Sequence, residues 1–258
     1  TEIARPVGVV AAVVPSTNPG ATPANNIINA LKCGNAVILS PSPKGCSTAE
    51  KLLGFIQAEF ARIGAPADLV QTLPQPVTKE SSQELMRQCD LVVVTGSQAN
   101  VRAGYSSGTP ALGVGAGNVA VIVDESADLA DAAEKIMCSK IFDNATSCSS
   151  ENSVIIHAAV YDRMIAALTA VGGVLLTAEE KTTLQAAMFP GGKLSPAVTA
   201  QSVAKICAVA GLTRPEAVTA KCLMVEEGNT GKAAPFSGEK LSPVMTLYKA
   251  RDFDHAFN

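Results

Sequence analysis

The sequence is poor in the residues that build metal and disulfide sites. It has two histidines, and its seven cysteines are an odd number that contains no C-x-x-C pair. Zinc sites combine cysteine and histidine at short spacings, and disulfide frameworks use even sets of cysteines. We therefore expect no metal ion, free thiols and a reducing, cytoplasmic location.

Long apolar runs and strong charge are also lacking. No uninterrupted apolar stretch reaches the ~18 residues that a membrane helix needs, and the segment from Thr1 to Arg5 lacks the layout of a signal peptide. A formal net charge of −3 provides no broad basic surface, so we expect neither a membrane nor a nucleic acid as a partner. Hydrophobic residues make up 47% of the 258, enough for one large or two ordinary cores.

Strand and helix patterns alternate through the first part of the chain. They predict strands over 7–14, 36–39, 69–73 and 91–95, and helices over 23–33, 47–63 and 79–88 with a short helix ending at 105. The short connections favour a doubly wound parallel sheet.

Polar turns follow three of these strands, at the carboxyl ends where such sheets bind ligands. The turns are Pro15–Asn18, Ser40–Pro43 and Thr95–Ser97. No G-x-G-x-x-G motif follows any strand, so the usual dinucleotide fingerprint is absent. Thr95-Gly96-Ser97 precedes a predicted helix, and it is either a phosphate-binding turn or a plain turn and helix cap.

A stretch of small residues from 106 to 118 separates this part from the rest. Its four glycines allow backbones to pass closely, which predicts a crossing between two domains beside a cleft. Strands over 119–123, 153–156, 223–226 and 244–249 are predicted after it, with helices over 128–141, 160–171, 178–188 and 202–210. The chain starts beside a strand and stops inside a predicted helix, 252–258, so we expect a middle segment of a longer protein.

A polar loop from Phe142 to Asn152 carries the most reactive side chain in the pattern, Cys148. Small neighbours leave room for a substrate, and the amides of a tight turn can stabilise a thiolate or an oxyanion. Two interpretations stay open from the loop alone. Cys148 is either a nucleophile or one of the many free cysteines that only fill apolar space.

Five stretches in register resemble the aldehyde dehydrogenase superfamily, in its CoA-acylating branch. They are Val14-Pro15-Ser16-Thr17-Asn18-Pro19, Ser40-Pro41-Ser42-Pro43, the glycine-rich run from Tyr105 to Asn118, Phe142 to Cys148, and Glu239-Lys240-Leu241-Ser242-Pro243. The resemblance implies an α/β fold of the aldehyde dehydrogenase type. It joins a Rossmann-type parallel-sheet cofactor domain, residues 1–117, to an α/β catalytic domain, residues 118–258, each incomplete at its chain end.

The resemblance also implies the chemistry of the site. Cys148 attacks an aldehyde, hydride passes to NAD or NADP, and CoA takes the acyl group from the thioester. Asn18, or its neighbour Thr17, helps to hold the oxyanion, and Glu239 binds the nicotinamide ribose. The expected cofactor-binding set is Pro15, Thr17, Ser40, Pro41, Ser42, Thr95, Gly96, Ser97, Gly115, Glu239, Ser242 and Pro243.

The same resemblance gives expectations about partners and location. The substrate is a small aldehyde or an acyl-CoA, the full-length protein is a homo-oligomer, and a bacterial microcompartment lumen is an alternative to the cytoplasm.

Departures from the hydrolytic relatives concern the acceptor. No carboxylate stands in Leu112-Gly113-Val114-Gly115, where those relatives place a general base. Water, with a pKa of about 15.7, needs such a base far more than a thiol with a pKa of about 8.5. Thiolysis is therefore favoured over hydrolysis. Ser40 replaces a lysine and Ala145 replaces a glycine of the pattern. A hydrolytic enzyme with its base elsewhere, and an idle scaffold of the same fold, remain alternatives.

Overall fold

The computed structural model describes residues 3–258 and divides into two compact units. Unit 1 ends at Ala116 and unit 2 begins at Gly117. The expected domain boundary, after residue 117, differs from this division by one residue. Among the described residues, no helix combines the length and apolar character needed to cross a membrane.

Unit 1 is a parallel five-stranded sheet with the order β3-β2-β1-β4-β5. The predicted alternation of strand and helix is confirmed. The elements are β1 Val9–Val14, α1 Ala21–Lys32, β2 Ala36–Pro41, α2 Cys46–Ile63, β3 Val70–Thr72, α3 Lys79–Gln88, β4 Leu91–Thr95, α4 Gln98–Tyr105 and β5 Ala111–Val114.

Strand β1 is apolar throughout because both of its faces are covered. Successive side chains of a strand point to opposite faces. Val10, Ala12 and Val14 pack with α1 and α2 residues in one core, while Ala11 and Val13 belong to a second core with residues of α3 and α4. A strand buried on both faces gives the continuous apolar run seen in the sequence.

The glycine-rich stretch differs from the expected plain crossing, because it contains strand β5. Residues 111–114 pair in parallel with β4, from Val92–Ala111 to Thr95–Val114. Gly113 permits this packing: a Cβ there would lie 2.7 Å from Val101 Cγ1 and 2.8 Å from Tyr105 Cε2. Its N–H donates to the Tyr105 hydroxyl at 3.0 Å. A short strand interrupted by glycine has too little apolar alternation to be recognised from the sequence.

Unit 2 is a second parallel five-stranded sheet, with the order β6-β7-β10-β9-β8. Its strands are β6 Val119–Val123, β7 Glu151–His157, β8 Gly173–Leu175, β9 Cys222–Glu226 and β10 Val244–Ala250. Its helices are α5 Leu129–Ile141, α6 Tyr161–Ala170, α7 Ala178–Met188, α8 Val203–Ala210, α9 Pro215–Val218 and α10 Phe253–Phe257.

Helices cover both faces of the unit 2 sheet. Residues of α5 and α6 share one core with Met224, Met245 and Leu247, whereas residues of α7 and α8 share the other with Leu223 and Val244. The sequence did not predict β8 or α9, since elements of three and four residues carry little periodicity.

Two helical glycines test how closely unit 1 packs. A methyl group at the exposed Gly54 of α2 would meet no atom within 4 Å, whereas one at Gly104 of α4 would lie 2.8 Å from Val94 Cγ1. Gly54→Ala should therefore raise the free energy of unfolding by roughly 0.5–1 kcal/mol through helix propensity. Gly104→Ala should lower it by about 1–3 kcal/mol through overpacking.

Chemical unfolding of the full-length protein, followed by far-ultraviolet circular dichroism, measures both changes. A Gly104→Ala variant as stable as Gly54→Ala would contradict the close packing of α4 on β4.

Candidate active site

Cys148 follows a turn whose backbone is unusual for residues with side chains. Asp143, Asn144 and Ala145 have φ values of 47°, 51° and 57°. This left-handed region costs non-glycine residues roughly 1–2 kcal/mol each. Such outliers persist only when surrounding contacts fix them, and they concentrate at functional sites.

Hydrogen bonds and burial hold the turn in place. The Thr146 hydroxyl donates to the Asp143 carbonyl at 2.6 Å, and the Asn144 side-chain amide donates to the Ala200 carbonyl at 3.4 Å. Ala145 is 1% exposed. Because Ala145 stands where the family pattern has glycine, the left-handed conformation there is kept despite its methyl group.

The thiol of Cys148 is exposed and free of any disulfide. The interpretation of Cys148 as a buried, space-filling cysteine is therefore wrong. Cys46, Cys89, Cys207 and Cys222 are buried and take that role instead. The hydroxyls of its two chain neighbours, Ser147 and Ser149, bond to each other at 2.8 Å. The side chain of Cys148 is therefore accessible in the described chain.

Gly117 of unit 2 lies close to both the Cys148 backbone and the Glu239 side chain. A Cβ at Gly117 would lie 3.4 Å from the Cys148 carbonyl oxygen and 3.9 Å from Glu239 Oε1. Burial raises the pKa of the Glu239 carboxyl, while the Gly117 N–H and the charge of Lys140 oppose that rise. The pKa of the half-buried Glu239 carboxyl is therefore set by the balance between burial and these two groups.

The segment that carries Glu239 is fixed on both sides. The Lys240 N–H donates to Asn152 Oδ1 at 3.0 Å, and the buried Lys240 Nζ donates to the Phe236 and Gly238 carbonyls at 2.7 and 3.0 Å. The next expected cofactor residues, Ser242 and Pro243, are buried directly before β10. Within residues 3–258, the Ser242 hydroxyl has no hydrogen-bond partner.

The expected residues at the end of β1 lie in the turn that leads into α1. Pro15 follows β1, and Thr17 and Asn18 lie in the turn before α1. Asn18 Oδ1 accepts the Ala21 N–H at 3.1 Å. This bond fixes the side chain through its oxygen and leaves the amide nitrogen as the group that can donate to a ligand.

At the end of β2, the expected residues are turned inward. Ser40 is 2% exposed and its hydroxyl bonds to the Ser82 hydroxyl at 2.8 Å. Pro41 is buried as well, and Ser42 is half-buried. Ser40 therefore does not present a side chain comparable to the lysine that it replaces.

At the end of β4, the turn acts as a helix cap. The Ser97 hydroxyl accepts the Asn100 N–H at 3.3 Å, and the Gly96 N–H donates to the Val114 carbonyl at 3.0 Å. Thr95 is the last residue of β4. Gly115 leaves the side chain of Gln98 in place, since a Cβ would approach its Nε2 to 2.9 Å. The cap interpretation of Thr95–Ser97 is confirmed, and a phosphate role stays a prediction.

The two units present their candidate residues at opposite edges of their sheets. In unit 1 these residues lie in the last positions of β1, β2, β4 and β5 or directly after them, at the carboxyl ends. In unit 2, Cys148 precedes β7 and Glu239 precedes β10, at the amino ends. The rule that ligands bind at carboxyl ends explains the first set only. Lys140 and Lys240 were not predicted, because the sequence does not reveal which lysines are buried. Gly117 was not predicted, because its contacts with Cys148 and Glu239 join parts of the chain that are distant in sequence.

Other clusters in the described residues are already satisfied. A cavity of about 450 Å³ at the carboxyl edge of the unit 2 sheet is lined by Glu226 and Glu227. These carboxylates pair with the Tyr161 hydroxyl at 2.7 Å and with Lys181 Nζ at 3.0 Å. No group of three or more histidine, cysteine, aspartate or glutamate side chains that could hold a metal occurs in residues 3–258.

The structure therefore has an exposed cysteine after a strained turn in a protein of parallel α/β units, with the backbone of that cysteine and the Glu239 carboxylate both close to Gly117. The chain belongs to the aldehyde dehydrogenase family, whose model matches residues 1–257. The family expected from the five motifs is confirmed.

Similar proteins carry acylating names. The chain is 66% identical over 256 residues to the acylating sulfoacetaldehyde dehydrogenase of Cupriavidus necator, covering 99% of this chain and 52% of that protein. It is 36% identical to the crystal structure of an acetylating aldehyde dehydrogenase from Geobacillus thermoglucosidasius, with a TM-score of 0.94, covering 98% of this chain and 56% of that one.

A third similar protein was solved with its ligand. Propionaldehyde dehydrogenase from Rhodopseudomonas palustris, with bound CoA and an acylated cysteine, matches at 27% identity and a TM-score of 0.87. It covers 98% of this chain and 57% of that one. The expected aldehyde dehydrogenase-like, Rossmann-type fold is thereby confirmed. The chain spans about half the length of the curated relatives that it matches.

Two buried alanines of unit 2 test the strain of the Cys148 turn. Ala145 lies in the left-handed region, and Ala133 lies in α5 with 0% exposure. Replacing Ala133 with Gly should cost about 2 kcal/mol, the sum of a buried methyl group and lost helix propensity. Replacing Ala145 with Gly should cost less than about 0.5 kcal/mol, since relief of the left-handed strain offsets the lost methyl.

Urea unfolding of the full-length variants measures the difference between the two free energies. Equal losses at both positions would show that the turn stores no strain.

Proposed function

We propose that the full-length protein is a CoA-acylating, NAD(P)-dependent aldehyde dehydrogenase. The observation that carries the proposal is the exposed Cys148 thiol on its strained turn, with the Glu239 carboxylate next to the same glycine. Membership of the aldehyde dehydrogenase family supports it. So does the CoA-bound relative with an acylated cysteine.

In the proposed reaction the Cys148 sulfur bonds to the aldehyde carbon, and the carbonyl oxygen becomes an oxyanion. Asn18 is the candidate donor to that oxyanion. The oxidised nicotinamide accepts the hydride, and Cys148 then carries an acyl group as a thioester. The thiol of CoA attacks this thioester, an acyl-CoA leaves, and the Cys148 thiolate is regenerated. The net change consumes aldehyde, CoA and NAD(P)⁺ and yields acyl-CoA, NAD(P)H and a proton.

The predicted cofactor residues of each unit stay candidates for nucleotide binding. Glu239 accepts hydrogen bonds from the nicotinamide ribose, and Lys240, Ser242 and Pro243 act by fixing its segment. Thr95, Gly96, Ser97 and Gly115 are candidates for the diphosphate turn, and Pro15, Thr17, Ser40, Pro41 and Ser42 border the remaining strand ends. The end of β2 carries no carboxylate to repel a 2′-phosphate. We therefore expect both NAD and NADP to bind.

The proposed aldehyde is small and carries a sulfonate. This choice rests on the 66% identity to an acylating sulfoacetaldehyde dehydrogenase. The first assay is the full-length protein with NAD(P)⁺ and CoA, with sulfoacetaldehyde compared with acetaldehyde, propionaldehyde and succinate semialdehyde. Chromatographic separation of acyl-CoA from free acid identifies the product. Free acid as the main product would favour the hydrolytic alternative, and no product with any aldehyde would favour the scaffold.

The remaining assignments are also proposals. They are a homo-oligomeric full-length protein, a cytoplasmic or microcompartment location, and small-molecule rather than nucleic-acid or membrane partners.

Two exposed cysteines give a matched test of the nucleophile. Cys148 and Cys138 of α5 are both exposed and free. Cys148→Ala should lower acyl-CoA formation by at least about 10³-fold while nucleotide binding stays within about twofold, because only the covalent step needs the sulfur. Cys138→Ala should leave both quantities unchanged. Steady-state NAD(P)H formation and nucleotide titration provide the measurements, and an active Cys148→Ala enzyme would refute the assignment.

Strand β5 gives a matched test of the acceptor. Val114 and Leu112 lie two residues apart, and their side chains are 52% and 60% exposed. The position matched to the missing base is Val114, so Val114→Glu should raise the ratio of free acid to acyl-CoA several-fold, within the roughly 10²–10⁴-fold that general-base catalysis supplies. Because Val114 is exposed within unit 1, its replacement does not bury a carboxylate there.

Leu112→Glu is the control, since it adds the same charge to the same face of the strand. Product analysis with and without CoA measures the ratio. Equal ratios in the two variants would show that Val114 does not line the path of the acceptor.

A further inference from the structure

The two peptide groups on either side of Glu239 are each held by a side chain. Lys240 Nζ donates to the Gly238 carbonyl at 3.0 Å, and that carbonyl belongs to the peptide before Glu239. The Lys240 N–H belongs to the peptide after Glu239, and it donates to Asn152 Oδ1 at 3.0 Å. Because a peptide group is planar, holding both groups leaves the Glu239 backbone little freedom to rotate. The direction of the Glu239 side chain is restricted as a result.

The two hydrogen bonds differ in what they connect. The Lys240 ammonium donates to the carbonyls of Phe236 and Gly238, which lie in the same short segment as Glu239. These bonds stiffen the segment but do not attach it to the sheet. Asn152 lies in β7, 88 positions away from Lys240 in the chain. The Asn152 side chain therefore ties the peptide after Glu239 to a strand of the unit 2 sheet.

Asn152 occupies an irregular position in β7. Val119 of β6 pairs with Glu151. The next residue, Ala120, pairs with Ser153, so Asn152 is an extra residue in β7, a β-bulge. Bulges are uncommon between parallel strands, and they re-aim side chains beside active sites. The Asn152 side chain is 3% exposed, so the bulge directs a buried amide to the peptide N–H that it accepts.

The bulge is also close in the chain to the proposed nucleophile. Asn152 lies four positions after Cys148. At the same edge of the sheet, a Cβ at Gly117 would lie 3.4 Å from the Cys148 carbonyl oxygen and 3.9 Å from Glu239 Oε1. The hydrogen bond from Asn152 therefore joins the segment of the nucleophile to the segment of the carboxylate by a short path.

We propose that Asn152 is a positioning residue for the Glu239 carboxylate, which it aims at the nicotinamide ribose through the peptide between Glu239 and Lys240. The inference rests on the proposed ribose-binding role of Glu239. Asn152 touches neither nucleotide nor aldehyde in this proposal. A freer Glu239 backbone lowers the fraction of molecules whose carboxylate is ready to bind, and the apparent Kd rises as that fraction falls.

The experiment measures the Kd for NAD(P)H by fluorescence in the full-length protein. Asn152→Leu is similar in size but removes the acceptor, and it should raise the Kd roughly 3- to 30-fold, a range that coupling between residues in contact allows. Asn152→Asp keeps an oxygen acceptor in either protonation state, so it should restore most of the affinity.

Tyr161→Phe is the matched control for the loss of a side-chain hydrogen bond in unit 2. The Tyr161 hydroxyl donates to Glu226 Oε1 at 2.7 Å, at the opposite, carboxyl edge of the same sheet. This variant should leave the Kd unchanged. Urea unfolding of each variant separates a loss of stability from a loss of affinity.

A double-mutant cycle tests whether Asn152 acts through Glu239. Glu239→Gln alone should raise the Kd, and Asn152→Leu should raise it less in the Glu239→Gln background than in wild type. An equal effect of Asn152→Leu in both backgrounds would overturn the proposal. A Glu239→Gln variant that binds the nucleotide as tightly as wild type would overturn the ribose role and this inference together.

Asn152→Ser keeps the inference falsifiable if Asn152→Leu does not fold. Its hydroxyl lies one bond nearer to the backbone than Oδ1 of Asn152, so it should also lose the Lys240 N–H and raise the Kd. An unchanged Kd in either folded variant would overturn the proposal, as would an Asn152→Asp Kd as high as that of Asn152→Leu. If wild type forms no acyl-CoA with any aldehyde but these Kd values follow expectation, the proposed function fails and the inference stands.

Discussion

The parallel pairing of β7 with β10 is the constraint on which the candidate site depends. Five residue pairs, from Ser153–Thr246 to His157–Ala250, place these strands side by side in the same direction. The segments that precede them must therefore leave the sheet at the same edge. One of these segments carries Cys148 and the other carries Glu239. Residues separated by about ninety positions in the chain become neighbours through this pairing, and Gly117 lies close to both the Cys148 carbonyl and the Glu239 carboxylate.

The cost of this arrangement falls on the backbone and on buried charge. Three consecutive left-handed residues precede Cys148, and none of them is glycine. Lys140 and Glu151 flank the turn in the chain, and the Lys140 ammonium and Glu151 Oε2 are buried without hydrogen-bond partners among the described residues. Each feature is unfavourable by itself, and the packed cores on both faces of the sheet have to offset them. Strain and buried charge located at the same turn are typical of a site selected for chemistry rather than for stability.

Sequence patterns were sufficient for four of the five strands of unit 1 and for the loop position of Cys148. Long apolar runs such as Val9–Val14 report burial on two faces, and a polar loop between α5 and β7 places Cys148 outside the sheet. Sequence patterns failed where contacts with residues distant in the chain decide whether a side chain is buried and which way it points. The Ser40 hydroxyl turns towards Ser82, and Lys140 and Lys240 are buried although lysine is mostly exposed. Strand β5 was not predicted, because its four residues have little strand pattern. What keeps it in the sheet is the packing of Gly113 against α4, which the sequence does not show.

The direction of α5 has an electrostatic consequence for the turn that follows it. Reactive cysteines often lie at helix N-termini, where the partial charge of the backbone is positive. Cys148 instead follows the C-terminal end of α5, where the unpaired carbonyls give the helix dipole its negative pole. Lys140 occupies the last turn of that helix, which is the position where a cation offsets the dipole most directly. The C-terminal end of α5 thus leads into the strained turn and also carries the cation that offsets the negative pole of the helix dipole.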